Sequence, residues 1–257
     1  MTAAATLSLA GEGQRTSGRR LVRTCRVVAH LLRGFVLAWR HGAFRDPYRE
    51  ELRSIVRQWQ RDLLHILRVE VKVYGRIPRQ PVFVVANHVS WLDIPVIGAA
   101  LDVHFLSKAE VRDWPLIGSL ARAAGTLFIR RGSGDAAARV RDIAGHLAEG
   151  RSVLVFPEGT TTDGQTVRRF HHRLFQAAAQ AQVPVQPLAI RYLDAGGRVD
   201  TGLAFVGDDA FHLHLWQLLL RRRIRVEIRF AEPMLPAPES IEARGQRARE
   251  QILAALG

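Results

Sequence analysis

From residue 69 onward, short apolar runs rich in Val and Ile alternate with longer amphipathic stretches. The runs at 69–74, 82–86, 104–107, 126–129, 152–156, 185–191 and 225–230 are β-branched or aromatic and too short for helices. Turn residues bound most of them, as they bound strands. Between them, 93–101, 115–123, 135–149, 172–182 and 238–256 read as helices. Strands alternating with helices pack as layers, so the pattern predicts one α/β domain over 69–257. Its sheet is expected to be mostly parallel or mixed, flanked by helices. Reactive side chains in such folds gather in loops at the carboxyl ends of strands.

One of those loops is Asn87-His88-Val89-Ser90-Trp91-Leu92-Asp93, directly after the 82–86 run. A histidine that takes up a proton near neutral pH needs a partner to fix its tautomer and stabilise the imidazolium. His88 and Asp93 are five residues apart, whereas neighbours on one helix face are three or four apart. The spacing therefore suits a tight turn that folds back. The plainer alternative is that Asp93 only caps the helix to 101 and His88 is a surface loop residue.

Three further segments share this design. Val153-Leu154-Val155-Phe156-Pro157-Glu158-Gly159-Thr160 is a buried strand running into a turn, and Gly125-Thr126-Leu127-Phe128-Ile129-Arg130-Arg131 ends a short strand in two cations. Val183-Pro184-Val185-Gln186-Pro187-Leu188-Ala189-Ile190 is an apolar strand carrying prolines. In order and spacing the four resemble the sequence blocks of the glycerolipid acyltransferase family, typified by bacterial lysophosphatidate acyltransferase. The resemblance spans roughly residues 70 to 192. It implies transfer of a fatty acyl group from acyl-CoA or acyl carrier protein to a lysolipid hydroxyl, with no cofactor. It casts His88 as general base and Asp93 as its partner. Arg131 matches an arginine that contacts the acceptor phosphate, and Lys108 matches a second basic residue. Glu158 and Gly159, with Thr160 beside them, match the acceptor-binding turn; Glu158 has the alternative of orienting its loop through backbone amides.

The sequence departs from the lysophosphatidate pattern at one point. An arginine usually follows Phe-Pro-Glu-Gly-Thr there, but this chain has Thr161, followed by Thr162-Asp163-Gly164. That run resembles the branch acylating lyso-ornithine lipid, so the resemblance implies 1-acyl-glycerol-3-phosphate first and lyso-ornithine lipid as the alternative. No Gly-x-Ser-x-Gly elbow, P-loop or dinucleotide-binding glycine fingerprint is present. Direct transfer without an acyl-enzyme is therefore expected.

Charge bears on partners. Thirty-seven Lys and Arg against 24 Asp and Glu give +13, an excess that suits a polyanion. Nucleic acid is the competing class. Residues 19–68 favour an anionic membrane surface instead, and no nucleic-acid partner is expected. Arg19, Arg23, Arg26, His30 and Arg33 recur at helical spacing, with Leu21, Val28, Leu32, Phe35, Val36 and Trp39 around them. Their charge-free stretch falls far short of the roughly 18 apolar residues needed to span a bilayer. A helix lying in the headgroup plane is expected, the alternative being one packed on its own domain with a solvated basic edge. A second helix is expected from Asp46 as cap and Pro47 as first residue. Together they form a helical hairpin after a flexible leader, 1–18, and imply a peripheral or monotopic place on the cytoplasmic face of the inner membrane. The apolar run 211–220, which ends in Arg221-Arg222-Arg223, reads either as a second interfacial contact or as a core helix with C-terminal cations.

Overall fold

A computed structural model of the protein describes residues 4–79, 81–129, 136–207 and 209–257, with side chains from Gly18 on, Arg19 excepted. Among these residues seven strands form one sheet: β1 (Val69–Tyr74), β2 (Phe83–Ala86), β3 (His104–Lys108), β4 (Leu127–Ile129), β5 (Val153–Val155), β6 (Val185–Leu193) and β7 (Ile224–Phe230). Their order is β1-β7-β6-β2-β5-β3-β4. β2 pairs in parallel with β5 and β6, β3 pairs in parallel with β4 and β5, and β7 runs antiparallel to β6. The sheet is mixed, as expected, with five parallel strands ending on one edge.

Alternate side chains of the central strands feed two cores. Val84, Ala86, Leu154, Leu188, Ile190 and Tyr192 pack on α2 (Glu50–Leu67), α3 (Asp93–Ala100) and α8 (Phe211–Leu218). Phe83, Val85, Val153, Val155, Val185 and Ala189 face the opposite layer, α6 (Ala136–Ala148), α7 (Gln176–Ala181) and α9 (Ile241–Leu256). Burial on both faces explains why 82–86 is a continuous apolar run rather than an alternating one. Two short helices, α4 (Ala109–Arg112) and α5 (Ile117–Ala123), occupy the β3–β4 crossover. The first, a single turn, was not expected, because so short a run carries no periodicity.

The N-terminal part is a hairpin of α1 (Ala4–Arg40) and α2, and α1 starts well inside the stretch read as a flexible leader. The expected start of α2 is corrected. It begins at Glu50 after an extended Arg49, while Asp46 accepts a hydrogen bond from the Tyr48 amide at 3.0 Å. Asp-Pro forms a turn here, a use of the pair that competes with helix capping.

The basic stripe of α1 is corrected in part: Arg26 and Arg33 are exposed as expected, whereas two of its members turn inward. Arg23 and His30 are buried, and Arg33 meets Asp62 at 2.6 Å. The His30 ring stacks on Trp59 with centroids 4.5 Å apart. The outward surface carries Leu21, Val28, Leu32, Val36 and Trp39, the last 77% exposed, together with Arg26 and Arg40. Arg23 reaches furthest, donating to the carbonyls of Leu219 and Arg221 at 2.8 and 2.7 Å. It thereby satisfies the carboxyl end of α8, a task expected of the three arginines that follow. Arg221 pairs instead with Asp200, and Arg223 with Glu70. Among the described residues no helix is long and apolar enough to cross a membrane.

Candidate active site

β2 delivers His88 to the middle of the sheet edge where the parallel strands end. Asn87 holds the exit in place by acting as a further peptide group. Its Nδ2 donates to the Ile190 carbonyl at 2.9 Å, and its Oδ1 accepts from the Ile190 amide at 2.8 Å. The chain then turns around the Asp93 carboxylate. Oδ2 accepts from the amides of Val89 (2.8 Å) and Ser90 (3.1 Å) and lies 2.7 Å from His88 Nδ1. Oδ1 accepts from the Tyr192 hydroxyl at 2.6 Å. The spacing of five is thus explained: a carboxylate at the start of α3 folds the preceding loop onto itself.

Asp93 has no exposed surface, and its four contacts saturate it. Burial, reinforced by the Asp93 charge and hydrogen bond, pushes the Tyr192 hydroxyl well above the ordinary tyrosine range. Tyr192 therefore stays a donor. With Asp93 an acceptor, the His88 proton belongs on Nδ1, leaving Nε2 with a free lone pair. The ring stacks on Phe156 at 3.8 Å and 11°, which fixes its plane, and the side chain remains 20% exposed. A histidine so held can take a proton from a bound hydroxyl without reorienting.

The loop after β5 supports the His88 loop from the other side. Glu158 is buried and bridges two segments: Oε1 accepts from the His88 amide at 2.8 Å and Oε2 from the Arg168 amide at 2.7 Å. Burial pushes its carboxyl above the usual range, partly offset by those two amides. Of the two roles open to Glu158, acceptor contact and loop orientation, the second describes what it touches. Gly159 adopts φ +74°, which closes the turn through its amide to the Phe156 carbonyl at 3.0 Å. Thr160 is half-buried beside it. The Thr162 amide donates to the His88 carbonyl at 2.8 Å.

Lys108 is exposed at the end of β3, in register with Ile129 of β4. Arg131 lies outside the described residues. His88, Glu158, Gly159 and Lys108 thus follow the ends of β2, β5 and β3 along one edge. β2 connects past β5 to β3 through α3, and β5 connects back past β2 to β6 through α7 on the opposite face. Ligands bind sheets of this kind at the carboxyl ends of their strands. Asn87, Phe156, Thr162 and Tyr192 were missed as site residues. Only Tyr192 left a signal, a hydroxyl in line with Leu188 and Ile190 on an inward strand face, where it must find a partner.

The chain is similar to known proteins. A model of the acyltransferase domain matches residues 68–191. A lyso-ornithine lipid O-acyltransferase from Pseudomonas aeruginosa is 47% identical over 223 residues, covering 84% of this chain and 85% of that protein. A 1-acyl-sn-glycerol-3-phosphate acyltransferase from Neisseria meningitidis is 34% identical over 173 residues, covering 66% and 68%. The crystal structure of a 1-acyl-sn-glycerophosphate acyltransferase, PlsC, from Thermotoga maritima has the same fold, with TM-score 0.69, 23% identity and 95% of each chain covered. The matched segment contains both the His88–Asp93 turn and the Glu158 bridge, and by this kinship the chain belongs to the acyltransferase family.

Proposed function

We propose that His88 is the general base that activates a lysolipid hydroxyl for attack on an acyl thioester, acyl-CoA or acyl carrier protein. The observation that carries this is the 2.7 Å contact between His88 Nδ1 and a carboxylate already saturated by protein donors. As the acceptor oxygen attacks the thioester carbonyl, its proton passes to Nε2. The positive charge that develops on the ring is met by Asp93. Collapse of the tetrahedral intermediate breaks the carbon–sulfur bond, and the imidazolium returns its proton to the departing thiolate. General base catalysis of this kind contributes on the order of 100- to 10,000-fold. Glu158 acts as a positioning residue, since both its oxygens hold backbone.

The acceptor we favour is lyso-ornithine lipid, reversing the order implied by the sequence blocks alone. Support comes from relatives of that name at 47% and at 37%, the latter from Rhizobium meliloti. Thr161 in place of the usual arginine points the same way. Lys108 and Arg131 suit the carboxylate of such an acceptor as well as a phosphate. Lysophosphatidate is the second reading, supported by the Neisseria meningitidis relative named for it at 34% identity. The outward apolar stripe of α1 supports a peripheral or monotopic place on a membrane, with the cytoplasmic face of the inner membrane as the proposed site.

An acyl-transfer assay over a panel of lysolipids, each with acyl-CoA and with acyl carrier protein, tests the acceptor. We expect kcat/KM for lyso-ornithine lipid to exceed that for lysophosphatidate by at least about tenfold. Preference for lysophosphatidate would restore the second reading, and transfer to no lysolipid would defeat both.

A further inference from the structure

We infer that α8 and the turn before α5 form a second bilayer contact, continuous with α1, for an anionic lipid surface. The inference rests on the proposal that α1 lies on the membrane, and extends it to residues far away in the chain. On α8, Leu213 and Trp216 stand at positions i and i+3 and are exposed, Leu213 by 56%, and the exposed Leu220 continues the stripe in the turn that follows the helix. His214, Leu218 and Leu219 on the other side are buried. The helix therefore presents an apolar stripe to the outside while already anchored inside.

Two contacts align this stripe with the α1 stripe, and a third adds the turn before α5. The Arg20 guanidinium lies 4.3 Å from the centroid of the Trp216 ring, next to the exposed Leu21. Arg23, one turn on, ties α1 to the carboxyl end of α8 through the Leu219 and Arg221 carbonyls. The turn before α5 joins from the other end of α8, with the Trp114 ring 5.7 Å from Phe211. Leu116 in that turn has φ +64° and ψ −56°, a strained backbone for a branched side chain, yet the side chain it holds is exposed. Strain kept in order to present an apolar group to water makes sense where the group has a partner.

Charge selects that partner. Arg20 and Arg222 flank the apolar groups, in a chain of net charge +13. Tryptophans at the rim and arginines around them match the boundary between acyl chains and anionic headgroups. The location fits a lipid substrate too. Trp91, in the turn wrapped around Asp93, donates from Nε1 to His214 Nδ1 at 2.9 Å and packs on Phe211 at 5.1 Å. Docking α8 would hold the His88 edge of the sheet close to the surface where an acylated acceptor resides.

The test uses the full chain and the double variant Leu213→Glu/Leu220→Glu, which leaves Trp216 and its Arg20 contact in place. Thermal melting establishes that it folds, and Leu213→Glu alone serves if the double variant melts early. Sedimentation with phosphatidylcholine vesicles containing phosphatidylglycerol should show affinity falling by at least about tenfold, as expected for losing two apolar side chains from an apolar surface. Transfer rates should fall with substrates in those vesicles and stay near wild type with substrates in detergent micelles. Unchanged vesicle affinity would overturn the inference, as would an equal loss of rate in vesicles and micelles. A change of oligomeric state without a change in vesicle affinity would also overturn it, by assigning the stripe to a second copy of the chain. Val28→Glu/Leu32→Glu on α1 is the control. If it releases the protein while the α8 variant does not, the α1 proposal stands and this one falls.

Discussion

Replacing Tyr192 with phenylalanine removes a single oxygen from the candidate site and tests the dyad most directly. The ring of Tyr192 is fully buried and would keep its place, so no cavity arises beyond the missing hydroxyl. What is lost is the 2.6 Å bond to Asp93 Oδ1. Hydrogen bonds to charged groups contribute about 1.5–3 kcal/mol, and stability should register most of that. For a chain of this size the melting temperature should fall by about 3–12 °C. Rate senses less, because the bond exists before and after His88 gains its proton, and only the part that strengthens in the transition state counts. If the whole bond counted, the ceiling would be roughly 10- to 150-fold. With three contacts to Oδ2 intact, we expect kcat to drop by about tenfold. KM should hardly move, since Tyr192 is buried behind Asp93. Initial rates from released thiol, together with thermal melts followed by circular dichroism, give both numbers. Wild-type kcat and melting would refute the picture of a carboxylate held by Tyr192. A raised KM at constant kcat would show that the hydroxyl meets substrate instead.

Three further outcomes are expected. His88→Ala should abolish transfer with the fold intact, and Asp93→Asn should reduce kcat strongly, since an amide offers no charge to the imidazolium; more than a few per cent residual activity in the alanine variant excludes the base role. Glu158→Gln can accept from only one of the two amides, so it should lower kcat and melting temperature together. Because burial raises the Glu158 carboxyl above its ordinary 4.5, the folded wild type favours the proton and loses stability as pH rises through the raised value. The melting gap to Glu158→Gln should therefore narrow as pH climbs from about 4.5 toward neutrality, and a gap independent of pH would contradict the shift. His104 is pushed below its ordinary 6.5, chiefly by burial, so the folded state prefers it neutral. The stability it confers is present above 6.5 and is lost as pH falls below that value, so His104→Gln should lose stability less steeply than wild type as pH falls below about 6.5.

Much of the sheet was legible because its strands are buried on both sides and stand out as continuous apolar runs. The His88–Asp93 turn was legible for a similar reason: both residues lie in one loop, and their spacing excludes a shared helix face. Tyr192 was not, because it lies 99 residues from Asp93 and meets it only when β6 settles beside β2. Glu158 shows the limit from the other side. The motif marks it, but only the folded loop shows its two oxygens occupied by the amides of His88 and Arg168. The stripes of α1 were plain in the periodicity of its residues. Periodicity cannot say which members of a stripe turn inward, and here the carbonyls at the end of α8 drew in Arg23 while Arg26 stayed outside.

The same inward stripe means that α1 is a wall of the catalytic domain rather than a detachable tether. Val27 belongs to the core that holds Ile97 and Leu154, and Ala38 packs with Leu52 and Ala123. Cutting residues 1–40 away would open that wall and strand the Leu219 and Arg221 carbonyls, so a shortened chain that no longer binds vesicles would be uninformative about anchoring. A water-soluble form of the enzyme is better sought by exchanging Leu21, Val28, Leu32, Val36 and Trp39 for polar residues. That alters the outer surface and leaves the contacts of the wall in place.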